Sequence, residues 1–388
     1  MVADAGGAAP GDSGGRFLAL DSLRGLAACL VVLEHMPGDG WLGTSPLLAN
    51  GWLAVDFFFV LSGFVIASAY GDRLHAGFSL ARYSVLRIGR IWPLHLCVLA
   101  VAVAIEAVGL VFDMGRYIHR DPFTGGHDPL NLAASALLLH IWQSPGENLW
   151  NVQSWTISAE LFLYLGFALA WRWLGRATLL VASVAVAGST VLLFSDLNDI
   201  DWVARALFGF SLGVLVEGLR RRLPTLRRGT GANAIEALAA LAGLAALAYY
   251  DWLSQAVCGL AFAAVVLAFS YDAGALSRLL SRPAAVFLGT ISYSIYMVHP
   301  LIVGRIRDAL QFAGERAGQT WVTFEDGREL VVGGPLADIF TLSALLVTIG
   351  VAAFAYRWIE KPARAASRRI AARLGARREG LGTGGDGR

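Results

Sequence analysis

The chain contains 388 residues, of which 56% are hydrophobic and 15% are charged, and its formal net charge is +2. Because soluble domains average about 25% charged residues and the mean hydropathy here is +0.58, the composition excludes an ordinary soluble domain and indicates a polytopic membrane protein without a nucleic-acid partner. The three cysteines lie in separate apolar segments without the spacing of a disulfide framework or a metal site, so no metal is expected.

Ten apolar segments dominate the chain. A membrane-spanning helix needs about 20 mostly apolar residues, and these segments reach or approach that length. We therefore predict an all-α fold, a polytopic integral membrane protein with about ten transmembrane helices. The predicted spans are 17–37, 50–70, 86–111, 154–174, 178–195, 202–219, 234–250, 253–270, 284–304 and 336–359. One more apolar stretch, 131–143, is too short to span and is predicted to be re-entrant or to lie on the membrane surface.

The basic residues are concentrated in alternate loops. If the N-terminus is cytoplasmic, the arginines fall in the inner loops, while the short outer loops 195–201 and 249–253 contain only acidic charges. This is the positive-inside distribution, so both termini are predicted to be cytoplasmic and the protein to lie in the inner (plasma) membrane. Residues 1–16 are predicted to be a disordered tail, 17–362 the membrane domain and 363–388 a basic cytoplasmic tail.

The first predicted span carries Arg24 and His35. Eleven residues are almost three helical turns, so both side chains are predicted to share a face, about 16 Å apart along the axis. An arginine within a span costs about 2.5–3.5 kcal/mol on insertion scales, which makes both residues candidates for a functional site. The alternative is that Arg24 reaches the headgroups and His35 marks the outer interface. Glu34 is adjacent to His35 but projects differently.

Arg87 and Arg90 begin the third predicted span, in RIGRIWP. Their i, i+3 spacing places them on one helix face, near a helix N-terminus whose dipole favours anions. Guanidinium groups bind phosphate oxygens bidentately. The pair therefore predicts an anion site, with ordinary anchoring at the membrane surface as the alternative.

Polar residues also interrupt two later spans. Glu160 lies in the otherwise apolar WTISAELFLY, and since an unpaired carboxylate is costly there, a nearby cation or hydroxyl should satisfy it. Both ion pairing and proton transfer are open to Glu160. Ser158, Tyr293 and His299, together with Glu34, are candidates for acceptor binding or for a structural role. A histidine before a proline is as often a packed, hydrogen-bonded residue.

Six sequence pieces containing these residues occur in order between 17 and 365: LDSLRGLAACLVVLEH, VDFFFVLSGFVIASAY, RIGRIWP, SWTISAELFLY, LGTISYSIYMVHP and WIEKP. In this combination the chain resembles the membrane acyltransferase 3 family, bacterial O-acyltransferases of surface polysaccharides and related glycans. The resemblance implies a ten-helix enzyme that takes an acyl group, commonly acetyl, from cytoplasmic acyl-CoA. It then transfers that group to a sugar hydroxyl at or beyond the outer face.

The resemblance also implies roles for individual residues. Arg24 and His35 match the family's Arg-x10-His pair, Arg87 and Arg90 match its RxxR pair, and Glu160 falls on an acidic motif position. The three arginines are then expected to bind acyl-CoA, a co-substrate, with no permanently bound cofactor. His35 and Glu160 are expected to be catalytic, because an imidazole is suited to take a proton from a sugar hydroxyl. A covalent acyl-histidine is the alternative route.

Two other functions compete with this interpretation. A transporter or a lipid or glycan flippase would use Arg24, His35, Glu160 and His299 to line a path through the membrane. An intramembrane serine protease would use Ser62, but VLSGF is not a GxSxG nucleophile elbow, and small residues commonly allow close helix packing in membranes. The outer loops 115–129 and 311–330 are candidates for the acceptor surface.

Overall fold

The computed structural model describes residues 16–111, 122–140, 150–194, 201–250, 254–325 and 328–382. It is 82% helical, in agreement with the predicted all-α membrane class. Its long helices are α1 (Leu18–Glu34), α2 (Ala54–His75), α3 (Leu80–Val111), α4 (Trp155–Leu174), α5 (Thr178–Leu193), α6 (Asp201–Arg220), α7 (Thr230–Ala248), α8 (Gln255–Phe269), α9 (Pro283–Ala317), α10 (Pro335–Ala355) and α11 (Lys361–Gly382). Shorter helices cover Pro46–Ala49, Pro129–Ala136 and Ala275–Leu280.

Each of the ten predicted spans coincides with a long helix. By length and composition, seven helical segments within the described residues can cross a membrane, and one of them, Val152–Leu193, contains two of the predicted spans. The helices Leu18–Glu34 and Gln255–Phe269 are shorter, at 17 and 15 residues. The count of ten spans and the cytoplasmic termini stay predictions. The tail at 1–15 and the loop residues 112–121 lie outside the described residues.

The helices that carry the candidate residues pack through small side chains. A Cβ atom added at Gly25 of α1 would lie 2.5 Å from the backbone nitrogen of Gly289 in α9, so these helices cross with their backbones almost in contact. At Gly63, an added Cβ would collide with the carbonyl of Phe210 in α6. Small residues at interfaces permit such close approach between membrane helices. Gly63 therefore supports the packing interpretation of the Ser62–Gly63 pair.

A β-hairpin lies where the C-terminal end of α1 meets the N-terminal end of α10. Strand β1 (Val322–Glu325) pairs antiparallel with β2 (Arg328–Val331), a small exception to the all-α prediction within the loop 311–330. The Asp39 carboxylate, in the loop after α1, accepts hydrogen bonds from the backbone N–H groups of Gly333 and Gly334 at 2.8–3.1 Å. The end of α1 is thereby fixed against the start of α10.

The basic C-terminal segment is a helix and not an extended tail. A π-helical turn, Tyr356–Glu360, connects α10 to α11, and α11 packs along the N-terminal part of α3. A Cβ atom on Gly89 of α3 would overlap the side chain of Ser367 in α11, which shows how closely the two helices approach. The boundary predicted at residue 362 itself stays a prediction, and 383–388 lie outside the described residues.

Candidate active site

A cavity of about 80 Å³ lies among α1, α2, α3, α4 and α9. One end, here called the arginine end, is lined by Arg24, Arg87 and Arg90. The opposite end, here called the Tyr296 end, is lined by Thr156 and Tyr296, which belong to the first turn of α4 and the middle of α9. The cavity therefore runs from the early turns of α1 and α3 toward the end of the bundle where α4 begins.

Arg24 is held firmly in place at the arginine end. Its Nε donates to the Ser292 hydroxyl at 2.9 Å, and one terminal nitrogen donates to the Gly289 carbonyl at 3.0 Å. The same terminal nitrogen forms an ion pair with Asp21 at 3.0 Å. Arg24 therefore has its charge partly balanced and serves as much to join α1 to α9 as to attract an anion.

Arg87 and Arg90 are less fully satisfied. Arg87 donates to the Tyr70 hydroxyl at 2.9 Å and lies over the Tyr70 ring at 4.8 Å, but its Nε is buried without a hydrogen-bond partner. Arg90 makes no hydrogen bond or ion pair with any of the described residues, although Arg24 lies within electrostatic range of it. The structure thus brings the predicted arginines together and leaves Arg90 facing the cavity without a direct hydrogen bond or ion pair among the described residues, with the carboxylates of Glu160 and Glu360 within electrostatic range.

Glu160 lies between the two ends of the cavity. Its carboxylate accepts hydrogen bonds from the Ser62 hydroxyl and from the Tyr164 hydroxyl, the latter at 3.1 Å. The predicted hydroxyl partners of Glu160 are therefore confirmed. Tyr164 was missed as a site residue and Ser62 was considered only as a protease nucleophile, because single hydroxyls within apolar helices look like ordinary packing residues in a sequence. Among the described residues that line the cavity there is no histidine, which removes support from a Ser62 protease.

His35 lies beyond the Tyr296 end and does not line the cavity. The Tyr296 hydroxyl accepts a hydrogen bond from Thr156 at 3.0 Å and donates to the Gln153 carbonyl at 3.2 Å. The Gln153 side-chain amide nitrogen lies 2.6 Å from Nε2 of His35. These contacts, here called the Tyr296–Gln153 layer, connect the lining of the cavity to the imidazole, which does not itself line the cavity. Gln153 was not predicted because it precedes the apolar segment of α4.

The local geometry assigns a tautomer to His35. Nδ1 lies 2.9 Å from the Val31 carbonyl, which can only accept a hydrogen bond, and 2.6 Å from the Glu34 carboxylate, whose Oε2 has no hydrogen-bond geometry to a described residue. In a neutral ring Nδ1 therefore carries the proton, and Nε2 accepts from the Gln153 amide. In that tautomer Nε2 is the unprotonated ring nitrogen, the form a general base requires. Glu34 contacts the ring directly despite its neighbouring position in sequence.

His299 packs edge-on against His35, with ring centroids 4.8 Å apart. Pro300 lacks the N–H that would bond to the Tyr296 carbonyl in a regular helix, and His299 Nδ1 takes its place at 2.6 Å. The His299 Nε2 is buried and has no hydrogen-bond partner among the described residues.

Both Arg24 and His35 contact α9, so the prediction that they share one face of α1 is confirmed.

Ser158 and Tyr293 bond to neighbouring backbone. The Ser158 hydroxyl is fully buried and donates to the Leu138 carbonyl at 2.5 Å, which joins α4 to the turn after Pro129–Ala136. The Tyr293 hydroxyl donates to the Ile91 carbonyl, while its ring lines the cavity. Of the two alternatives stated for Ser158, the structure supports the structural one. The short helix Pro129–Ala136 lies against α3, and residues 141–143 fall outside the described residues.

Glu360 is a further charged residue near the arginine end. It is 2% exposed, accepts from the Ser294 hydroxyl at 2.8 Å and lies 3.4 Å from Arg364. Both Arg24 and Arg90 are within electrostatic range of it. The WIEKP motif contains this residue, but Glu360 stands three residues before the predicted basic tail and resembles a surface charge in the sequence.

Comparison with known proteins gives a consistent result. The model of the acyltransferase 3 family, described as an acyltransferase domain, matches residues 17–357. Protein 2 in the picA locus of Rhizobium radiobacter is 33% identical over 46% of this chain and 93% of its own length. Acyltransferase MdmB of Streptomyces mycarofaciens is 26% identical over 74% of this chain and 80% of its own. Exopolysaccharide production protein ExoZ of Rhizobium meliloti is 26% identical over 84% of this chain and 94% of its own length. No solved structure is significantly similar.

Proposed function

Because the chain belongs to the acyltransferase 3 family, and so is a membrane acyltransferase, we propose that it is an acyl-CoA-dependent O-acyltransferase of the inner membrane. It takes an acyl group, acetyl in the simplest case, from cytoplasmic acyl-CoA and transfers it to a hydroxyl of an exported or cell-surface glycan. The name of one relative, an exopolysaccharide production protein, supports a glycan acceptor. The name of another, an acyltransferase, supports the reaction class.

The donor is held by its phosphates at the arginine end. Arg90 and the free Nε of Arg87 offer donors to an anion, while Arg24 is fixed by α9 and contributes mainly its charge. Charge-assisted hydrogen bonds from guanidinium groups are among the strongest in proteins. Coenzyme A carries its phosphates at one end and its thioester at the other, so its uncharged arm can pass along the cavity beside Glu160 toward Tyr296.

The acyl group is transferred at the His35 side of the Tyr296–Gln153 layer. Nε2 of His35 takes the proton of the acceptor hydroxyl as the hydroxyl oxygen attacks the thioester carbonyl carbon. The carbon–sulphur bond breaks, the ester forms, and the departing thiolate takes a proton from the imidazolium. Since Tyr296, Thr156 and Gln153 separate the ring from the cavity, this step requires their hydrogen bonds to open when the donor is bound.

The observation that carries the proposal is Arg90, a cation in a membrane cavity that makes no direct hydrogen bond or ion pair with the described residues. An intramembrane charge is expensive and is usually retained for a substrate or a partner. An exchange of Arg87 and Arg90 for alanine should abolish acyl-CoA binding to the purified protein, measured by calorimetry. His35→Ala should retain binding and lose acyl transfer. Wild-type protein that binds no acyl-CoA would contradict the proposal and favour a transporter or flippase.

The acceptor is identified by a separate measurement. Mass spectrometry of surface glycans from cells with and without the gene should show loss of an acyl substituent in the deletion strain. Restoring the gene with His35→Ala should fail to return the substituent, while restoring the wild-type gene should return it. Unchanged glycan acylation in the deletion strain would contradict a glycan acceptor.

A further inference from the structure

An apolar groove of about 490 Å³ lies outside the cavity, between α7 and α8. Its walls include Leu238 and Ala242 of α7 and Ala264 of α8. One end is formed by the loop 221–229, which contributes Leu223 and Leu226. None of the proposed donor or catalytic residues takes part in this groove.

The shape of the groove fits one extended hydrocarbon chain. Its lining on α7 extends from Ile235 to Ala242, seven residues or about 10 Å at the helical rise. One leaflet contributes about 15 Å of hydrocarbon, so the groove follows much of a leaflet. The small side chains of Ala242 and Ala264 provide its depth.

The loop at the mouth of the groove carries an excess of positive charge. Arg220 is ion-paired with Glu217 at 2.7 Å, and Arg221 is paired with Glu217 and Asp72. Three further arginines in the loop are exposed and have no ion-pair partner among the described residues. They are Arg222, Arg227 and Arg228.

Apolar and basic side chains are neighbours along this loop. Leu223 and Leu226 line the groove, and the free arginines Arg222 and Arg227 directly flank them. A ligand with its chain beside the leucines would therefore have its polar end beside the guanidinium groups. Tyr271 also lines the groove, and tyrosine rings are characteristic of the headgroup level of membranes.

We propose that this groove and loop bind one anionic phospholipid, with an acyl chain between α7 and α8 and the phosphate at Arg222, Arg227 and Arg228. Phosphate oxygens are good bidentate partners for guanidinium groups. Basic residues beside a membrane contribute about 1 kcal/mol each to the binding of anionic lipid, which is about fivefold in affinity per arginine. The site is independent of the proposed acyl transfer.

Native mass spectrometry of the delipidated full-length protein tests the proposal. Phosphatidylglycerol and phosphatidylcholine with identical chains are titrated separately, and we expect one phosphatidylglycerol to bind preferentially. Exchange of Arg227 and Arg228 for glutamine should reduce that preference by about fivefold for each charge removed. The matched control exchanges the exposed Arg278 and Arg282, which removes the same charge from another loop and should leave the preference unchanged.

A second variant tests the groove apart from the charges. Ala264→Phe fills it from an exposed position and should weaken the binding of both lipids without changing their ratio. The melting temperature of each lipid-free variant establishes that it is folded. Three results would each overturn the proposal. The first is equal binding of the two lipids to the wild-type protein, and the second is an equal loss of preference in the control at Arg278 and Arg282. The third is unchanged lipid binding to a folded Ala264→Phe variant.

Discussion

Arg90→Ala separates a substrate-binding arginine from a structural one. Arg90 makes no hydrogen bond or ion pair with the described residues, whereas Arg24 bonds to Ser292, to the Gly289 carbonyl and to Asp21. Removal of Arg90 breaks no direct bond among the described residues, and the repulsion from Arg24 that it relieves offsets the attraction to Glu160 and Glu360 that it loses, so the fold should stay intact. Removal of Arg24 should weaken the α1–α9 contact as well as donor binding.

The size of the effect on binding follows from the bonds that Arg90 can make. A hydrogen bond to a charged group contributes about 1.5–3 kcal/mol, or about 10- to 150-fold in affinity at 1.4 kcal/mol for each factor of ten. We expect the dissociation constant of acyl-CoA to rise by that factor in Arg90→Ala. The melting temperature in detergent should remain that of the wild type, while Arg24→Ala should lower both affinity and melting temperature.

Calorimetric titration and thermal unfolding of the same preparations check this prediction. Arg176→Ala is the control, since it removes an exposed arginine at the turn between α4 and α5. It should change neither quantity. If Arg90→Ala bound acyl-CoA as tightly as the wild type, or unfolded at a temperature as low as Arg24→Ala, then the assignment of Arg90 as a substrate-binding residue would be refuted.

Three other perturbations have defined outcomes. Gln153→Ala removes the hydrogen bond to His35 Nε2, which the proposed step requires to open, and should therefore raise kcat of acyl transfer by up to about tenfold for one bond of about 1.5 kcal/mol, with unchanged donor affinity in calorimetry. Asp56→Asn leaves Arg205 without its bidentate partner in a buried pair and should cost about 3–5 kcal/mol, seen as a lower melting temperature. Burial lowers the pKa of His140 to about 4. The contribution of His140 to the free energy of unfolding should therefore be constant above pH 6.5 and fall progressively as the pH drops from 6.5 toward 4.

Each of these outcomes has a control. Asp72→Asn breaks an exposed ion pair with Arg221, in which the Asp72 side chain is 66% exposed, and should cost less than about 1 kcal/mol. A cost for Asp56→Asn as small as that for Asp72→Asn would contradict the buried-pair assignment. His140→Gln should flatten the pH dependence of the melting temperature, and an unchanged slope would show that other groups cause it. A decrease in donor affinity in Gln153→Ala would place Gln153 in donor binding instead.

The sequence predicted the helices well where hydrophobicity alone decides them. All ten apolar segments are helical, because a long apolar run can satisfy its backbone in a membrane only within a helix or a closed barrel. The extent of α3 before residue 86 and the whole of α11 were not predicted. Residues 80–85 are too few and too mixed to show a helical pattern, α11 is rich in charge, and the two segments pack against each other, which no local pattern reveals.

The site was predictable where a charge interrupts an apolar segment. A charged side chain within an apolar segment is energetically costly and is usually functional. This reasoning identified Arg24, Arg87, Arg90 and Glu160, and the structure places all four on one cavity. The layer that separates this cavity from His35 was not predictable. Gln153 lies outside any apolar segment, and its contacts depend on the way α4 and α9 meet.

The length of α1 gives the proposed reaction an electrostatic rationale. Arg24 and His35 are eleven residues apart, about 16 Å at the helical rise, and one leaflet is about 15 Å thick. Under the proposed function, the phosphates of the donor stay at the arginine end, and only the uncharged arm and acyl group extend to the imidazole. Carrying the phosphate charge the same distance through hydrocarbon would cost many kcal/mol. A fixed anion and a mobile neutral arm therefore allow the acyl group to cross at a far lower free energy than the whole donor.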